Sequence, residues 1–194
     1  DAVREINAAI RIPLFVKLSR NLTSIPHVAR QLLSGASGMV LFGRAPTVDL
    51  CLDTLQVASR WRLTRPDEEP ESLGTLMSVH SQCPAMPLAA SGRIGNADQL
   101  IKALMAGADV AMVTSAVYRE GPDVIRSLLD GLMRFMESHH MTTMRDLQTR
   151  RPLQFSSEEE RAAYIDALAA HLHDADKAVA SRALHADRWG HPHV

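Results

Sequence analysis

The sequence predicts an α/β protein built from successive βα units, and two observations carry that expectation. The first lies between Met86 and Ala116. An apolar run, Met86 to Ala90, ends in the small-residue turn Ser91-Gly92-Arg93-Ile94-Gly95. Asn96 opens a helix with Leu100, Ile101, Leu104 and Met105 at helical spacing, and Gly107 stops it. A second apolar run, Asp109 to Val113, ends in Thr114-Ser115-Ala116, so the stretch reads as a βαβ unit. The second observation is a short repeat. Leu32-Leu33-Ser34-Gly35-Ala36 echoes Leu104-Met105-Ala106-Gly107-Ala108, and each precedes a strand. Both turns of the βαβ unit are poor in side chain beyond Cβ. Their backbone N–H groups are free to meet an anion, and the helix N-termini behind them favour negative charge. The pair reads as a phosphate cradle.

The remaining elements follow in order. Asp1 to Arg11 carries Val3, Ile6, Ala9 and Ile10 at helical spacing and reads as the end of a helix. Pro13 begins an extended run, Leu14-Phe15-Val16-Lys17-Leu18, apolar on both faces except at Lys17, as in a buried parallel strand. A lysine there needs a partner. We read it as an anion or cofactor ligand rather than a side chain snorkelling at the strand end. Pro26 stands where a first-turn proline would, Val28, Ala29, Leu32 and Leu33 form the expected buried stripe, and Gly38 to Phe42 is the next strand.

Gly43 to Ala85 is too long for an ordinary βα loop. Leu50 to Val57 is expected to be a helical turn or a short strand. Arg60 to Pro70, charged and twice interrupted by proline, is expected to be exposed. Glu71 to Ser81 should form the helix before the Met86 strand. After Gly121-Pro122 comes a long helix with Val124, Ile125, Leu128, Leu129, Leu132, Met133 and Met136 expected inward. His139 and His140 end it and, facing different ways, do not suggest a metal site. Met141 to Arg150 is a short extension. Ser157-Glu158-Glu159-Glu160 reads as a capping box that opens an amphipathic helix with Tyr164, Ile165, Leu168 and Leu172, before a polar tail.

The 194 residues suggest one domain with an appendage, and a net charge of −1 argues against a large nucleic-acid footprint. No run of ~18 apolar residues suggests a membrane span. Two distant cysteines, Cys51 and Cys83, suggest neither a disulfide framework nor a zinc site, so a reducing, cytoplasmic setting is expected. The chain starts at Asp1 rather than Met, and an N-terminal segment is expected to be missing.

In their order, these motifs resemble the dihydroorotate dehydrogenase family. Pro13-Leu14-Phe15-Val16-Lys17-Leu18-Ser19 resembles its lysine-bearing strand, and Ala90-Ser91-Gly92-Arg93-Ile94 its Ser-Gly-Gly-Ile phosphate turn. Ala106-Gly107-Ala108-Asp109-Val110 through Thr114-Ser115-Ala116 resembles the second phosphate turn, and Gly121-Pro122 with Leu128-Leu129-Asp130-Gly131-Leu132 the last barrel helix. The resemblance covers roughly residues 1–150. It implies a (β/α)8-type barrel holding FMN over the C-terminal ends of its strands. About the C-terminal four βα units would be present, over residues 1–150, with 151–194 as a helical appendage.

By the same resemblance, Lys17 would reach the flavin ring and stabilise negative charge on it, and Ser91, Gly92, Arg93, Thr114 and Ser115 would hold the phosphate. Asn21, Gly43 and Arg44 would face the substrate. The chain departs from the family pattern at Arg93 and Thr114, both glycines in the family, and at Gly43, where the pyrimidine-binding asparagine falls. The family's catalytic base lies in the first half of the barrel, so no catalytic residue is assigned. Cys51, which follows a strand, is read as an ordinary loop cysteine.

The implied function is an FMN-dependent oxidoreductase related to pyrimidine biosynthesis. It would pass a hydride between FMN and a small organic substrate that need not be dihydroorotate. The alternatives are a truncated or degenerate barrel without flavin, and another phosphate-cradling FMN barrel such as a tRNA dihydrouridine synthase. Four units leave edges at Leu14–Leu18 and Asp109–Val113. A second copy, an N-terminal half or the Tyr164–Leu172 stripe is expected to cover them, and the chain alone is expected to be inactive.

Overall fold

The computed structural model describes residues 2–43, 46–65, 72–152 and 166. The chain divides into two units, 1–153 and 154–194, and the first is the one described here. The expected capping box at 157–160, the stripe from Tyr164 to Leu172 and Arg44 lie outside the described residues.

A four-stranded parallel sheet organises the unit. Its strands are β1 (Phe15–Leu18), β2 (Gly38–Leu41), β5 (Leu88–Ser91) and β6 (Val110–Met112), in the order β1-β2-β5-β6. An antiparallel hairpin, β3 (Thr47–Cys51) with β4 (Gln56–Arg60), interrupts them in sequence. The helices are α1 (Ala2–Ala9), α2 (Ile25–Leu32), α3 (Leu73–Gln82), α4 (Ala97–Met105), α5 (Ser115–Glu120), α6 (Val124–Ser138) and α7 (Met144–Thr149). Among the described residues no helix is long and apolar enough to cross a membrane.

Local chemistry explains most boundaries. Ser24 caps α2 by accepting from the His27 N–H, with Pro26 in the first turn. Asn96 caps α4 by accepting from the Gln99 N–H at 2.9 Å. The core forms between one face of the sheet and the helices. Met39, Leu41, Leu88 and Ala90 pack there with Leu76, Val79, Leu100, Ala103, Leu104, Leu128 and Leu132. Their alternate neighbours Val40 and Ala89 turn to the other face, as the two-residue period of a strand requires.

Several expectations are corrected. Leu50 to Val57 forms neither a helical turn nor a lone strand but the two sides of a hairpin around Leu52–Leu55. That turn lacks the Asn-Gly or Asp-Gly signal of a tight hairpin, and Leu55 takes the left-handed conformation at φ 52°. The strand β1 is not buried on both faces. Phe15 is 44 % exposed and Lys17 is exposed on the face away from the helices, while Val40 and Ala89 in the middle of that face are buried. On α2 the buried pair is Ile25 and Ala29, while Leu33 is exposed beside the helix end. On α6 Val124, Leu128 and Leu132 are inward, but Ile125, Leu129 and Met133 form an exposed stripe. One face of α6 meets α4, and the adjoining face stays exposed. Residues 141–150 also hold a helix, α7, with its own capping box.

Close approach of α4 and α6 depends on Gly131. A Cβ there would lie 2.2 Å from the Cβ of Ala97. Gly→Ala inside a free helix stabilises by about 1 kcal/mol, but forcing two packed helices apart costs about 1–3 kcal/mol. Gly131→Ala is therefore expected to destabilise, and the double variant Ala97→Gly/Gly131→Ala to recover most of the loss; denaturant midpoints test both.

The α7 capping box predicts a pH dependence. Asp146 accepts from the Thr142 and Thr143 N–H groups at 2.9 and 2.7 Å and from the Thr142 hydroxyl at 2.9 Å. These bonds favour the carboxylate and lower its pKa from 3.8 to about 2. A carboxyl with a depressed folded-state pKa stabilises above its unfolded value, and the contribution is lost as pH falls through the folded value. Asp146→Asn is expected to be less stable than wild type at neutral pH. The difference should shrink between pH 3.8 and about 2, as thermal melts across that range would show.

Candidate functional site

All four parallel strands point the same way, so the segments leaving their C-terminal ends gather on one side. The Gly43 N–H donates to the Leu18 carbonyl at 2.7 Å, and the Phe42 N–H to the Ser91 carbonyl at 3.4 Å. Strands β5 and β6 are direct neighbours, with Ser91 opposite Met112. The turn beginning at Ser91-Gly92 and the one beginning at Thr114 therefore leave the sheet side by side.

The first turn takes two left-handed residues in succession, Gly92 at φ 95° and Arg93 at φ 56°. A Cβ on Gly92 would meet nothing within 4 Å, so the backbone there faces open space. Arg93 replaces a glycine of the family pattern yet keeps the left-handed path that favours glycine. The departure lies in the side chain and not in the backbone. The second turn is built differently. Thr114 sits at φ −127° as the cap residue of α5, without a side-chain capping bond, so no left-handed conformation demands glycine there.

Lys17 leans toward the same end. A Cβ built on Gly43 would lie 3.6 Å from Lys17 Cγ and 3.7 Å from Cδ, so the lysine stem passes over the glycine. Gly43 offers backbone alone where the family pattern has an amide. Asn21 is exposed on the segment after β1. Residues brought together by the sheet are thus Lys17, Gly43, Ser91, Gly92, Arg93, Thr114 and Ser115.

Three contributors escaped the sequence reading. The Thr64 N–H donates to Ser115 Oγ at 3.1 Å, and Arg119 donates to the Thr64 carbonyl. Residue 64 therefore lies over the start of α5, and Ser115 is only 8 % exposed. Its oxygen is engaged, while its own proton remains to donate. Arg20 stacks over the Phe42 ring, 5.7 Å from the centroid. No periodicity marks Thr64, Arg119 or Arg20, because tertiary folding alone brings them to the strand ends. Together with Lys17 and Arg93, the two arginines give this side of the sheet four cationic groups in a chain of net charge −1. Glu120, 3.9 Å from Arg119, offsets part of that charge.

Elsewhere, an open groove of about 660 Å³ runs along α6 past Ile125, Leu129 and Met133 to Met144. It follows the helix rather than the strand ends. Among the described residues no group of three His, Cys, Asp or Glu could hold a metal ion.

Comparison with known proteins agrees with the motifs. No protein-family model matches the chain. The dihydroorotate dehydrogenase B (NAD(+)) catalytic subunit of Methanocaldococcus jannaschii is 23% identical over 146 residues, 73% of this chain and 47% of that protein. The corresponding subunit of Halalkalibacterium halodurans is 26% identical over 148 residues, 74% of this chain and 48% of that protein. The dihydroorotate dehydrogenase (quinone) of Erythrobacter litoralis is 27% identical over 149 residues, 75% of this chain and 43% of that protein. The chain resembles the dihydroorotate dehydrogenases. It spans about half the length of the curated relatives it matches. The DHODH of Eimeria tenella in complex with ferulenol superposes with a TM-score of 0.58 at 22% identity, covering 73% of this chain and 39% of that one. The parallel sheet with its helices fits a partial barrel of this fold.

Cys51 ends β3 on the hairpin, where the Thr54 hydroxyl, the Thr54 N–H and the Asp53 N–H lower its thiol pKa. Cys83 is 3 % exposed. Alkylation is expected at Cys51 first, with a half-reaction pH below that of the same thiol without these hydrogen bonds. Thr54→Val should raise that pH. A pH series with iodoacetamide, read by mass spectrometry, checks both expectations.

Proposed function

We propose that this chain is the phosphate-holding half of an FMN barrel of the dihydroorotate dehydrogenase kind, serving an oxidoreductase that acts on a small organic substrate. The observation that carries the reading is the pairing of β5 with β6, which sets Ser91-Gly92-Arg93 beside Thr114-Ser115 on the side where Lys17 leans. The left-handed backbone at Gly92, with open space where a side chain would stand, supports a phosphate approaching this turn, where the Gly95 N–H is already taken by Gln99 Oε1 at 2.9 Å. Ser91, Gly92, Arg93, Thr114 and Ser115 would hold it, Arg93 adding a guanidinium that suits phosphate. FMN, when bound, supplies a hydride acceptor for the substrate carbon.

Lys17 would set a positive charge beside the ring and stabilise electron density arriving there. Asn21 and Arg44 would line the substrate side. Gly43 leaves out the amide that a pyrimidine would meet, which supports a substrate other than dihydroorotate. A Cβ at Gly43 would find only ordinary contacts, 3.4 Å or longer, so the absent side chain reflects composition rather than a lack of space. The face opposite the helices exposes Phe15 at 44 %, Val110 at 52 % and Met112 at 38 %. A parallel sheet normally buries both faces. We assign this face to four further βα units, which complete the barrel and bring the catalytic base.

A half barrel that holds no flavin is the second reading. It is favoured by the Thr64 N–H already bonded to Ser115 Oγ. The absorbance spectrum of the purified protein, in its longest natural form, separates the two. A flavin spectrum is expected, and its absence after reconstitution with FMN would leave the second reading. Lys17→Ala is expected to slow reduction of the bound flavin by roughly 10²-fold while changing its retention less than tenfold, since the charge acts mainly on the reduced state. Equal losses in both would remove Lys17 from the proposed role.

A further inference from the structure

Two backbone groups of one residue fasten the segment after the hairpin to the candidate site. The hairpin, whose Val48, Leu50 and Val57 share one exposed face, ends at Arg60, and residues 61–65 run on without regular structure. The Thr64 N–H donates to Ser115 Oγ at 3.1 Å, and the Thr64 carbonyl accepts from Arg119 Nη1. Ser115 and Arg119 lie four residues apart on α5, so one side of that helix holds both anchors. Arg119 also reaches the first turn. A Cβ built on Gly95 would lie 3.5 Å from Arg119 Nη2. That turn is itself fixed, since Gln99, 5 % exposed, accepts from the Gly95 N–H at 2.9 Å. One guanidinium thus meets the first turn, the helix of the second turn and the segment laid over Ser115.

We propose that Arg119 is a positioning residue that clamps residues 61–65 as a strap over the phosphate-holding turns, so that a bound phosphate leaves only after this clamp opens. The strap's role rests on the phosphate reading of these turns, and it adds what closes that site. Thr64 gives both of its backbone groups to the contact, so the hold does not depend on the identity of its side chain. A hydrogen bond from a guanidinium is among the stronger ones, which makes the Arg119 contact the firmer of the two anchors. Glu120 is 3.9 Å from Arg119 Nη2 with a side chain 50 % exposed, too solvated to draw the guanidinium away. The Ser115 hydroxyl, accepting from the Thr64 N–H, keeps its proton for a phosphate oxygen. The strap therefore restrains Ser115 without using up the donor that the phosphate needs.

Trypsin and flavin release test the clamp separately, on the protein in its longest natural form. Cutting after Arg62 requires Thr64 to leave the fold, since proteolysis proceeds through an opened state. Without flavin, Arg119→Met is expected to raise cleavage at that bond about tenfold, with Arg119→Lys, which keeps a charged donor, in between. Tyr118→Ser, at a neighbouring position 76 % exposed, should leave it unchanged. After loading with FMN, release from Arg119→Met is expected to be about tenfold faster than from wild type. Riboflavin, which lacks the phosphate, should leave both at the same rate. Denaturant midpoints check that the variants fold, and Arg119→Lys carries the comparison if Arg119→Met does not. Equal cleavage at Arg62 in wild type and variant would overturn the clamp whatever the flavin result. So would equal release of FMN, or equal acceleration with riboflavin, which would mark a general loosening. A wild type that takes up no FMN would remove the phosphate reading and the strap's role with it, and is recognised without any variant.

Discussion

Asp109 ties together the end of the sheet opposite the candidate site. One carboxylate oxygen accepts from the Leu88 N–H at 3.0 Å, and the Asp109 N–H donates to the Leu88 carbonyl at 2.7 Å. The other oxygen meets Arg151 Nη2 at 3.2 Å. Arg151 also donates to the Leu104 and Ala108 carbonyls at 3.0 and 2.7 Å. Its side chain is only 6 % exposed. One pair of residues thus joins the start of β5, the end of α4, the start of β6 and the segment after α7. A guanidinium so enclosed holds its place because its donors are matched by carbonyls and a carboxylate. Burial and the Arg151 charge lower the pKa of His80 nearby, against an opposing pull from Asp109, and so favour its neutral form.

The consequence appears at the other end. With β5 and β6 starting together, their parallel pairing delivers Ser91 opposite Met112, and the two small-residue turns emerge as neighbours. A slip of one residue would turn Ser91 toward the helices and separate the turns. The structural anchor and the candidate site therefore occupy opposite ends of the same two strands. Barrels divide labour in this way, with stability at the N-terminal face and chemistry at the C-terminal face. Small residues make the arrangement possible. Ala90, Ala103 and Ala108 are buried at 0–1 % exposure, and they let α4 lie close on the sheet.

What remains uncovered is as ordered as what is packed. The face of the sheet away from the helices, the outer stripe of α6 and the hairpin face each present apolar side chains in register. The third belongs to the segment between β2 and α3. Aliphatic side chains at such exposure weaken a free-standing fold, since each forgoes about 1.5–3 kcal/mol of burial. Their alignment reads as surface prepared for contact.

The sequence by itself determined the elements whose signals are local. Pro26 and Asn96 mark helix starts, apolar runs mark β1, β2, β5 and β6, and the glycine-rich stretch from Ser91 marks a turn. Each rests on a few neighbouring residues and needs no knowledge of the rest of the chain. The motifs also carried the resemblance to dihydroorotate dehydrogenases. Tertiary structure alone decided which side of each amphipathic element is covered. Leu128 and Ile125 are equally apolar, but only the first is buried, so periodicity could not separate them. It also decided the hairpin, whose turn is held by Leu55 at positive φ instead of the usual Asn or Gly. Last, it brought Thr64, Arg119 and Arg20 to the strand ends. Their partners lie 55, 51 and 22 positions away along the chain (Thr64 with Arg119, Thr64 with Ser115, Arg20 with Phe42), beyond the reach of any local pattern.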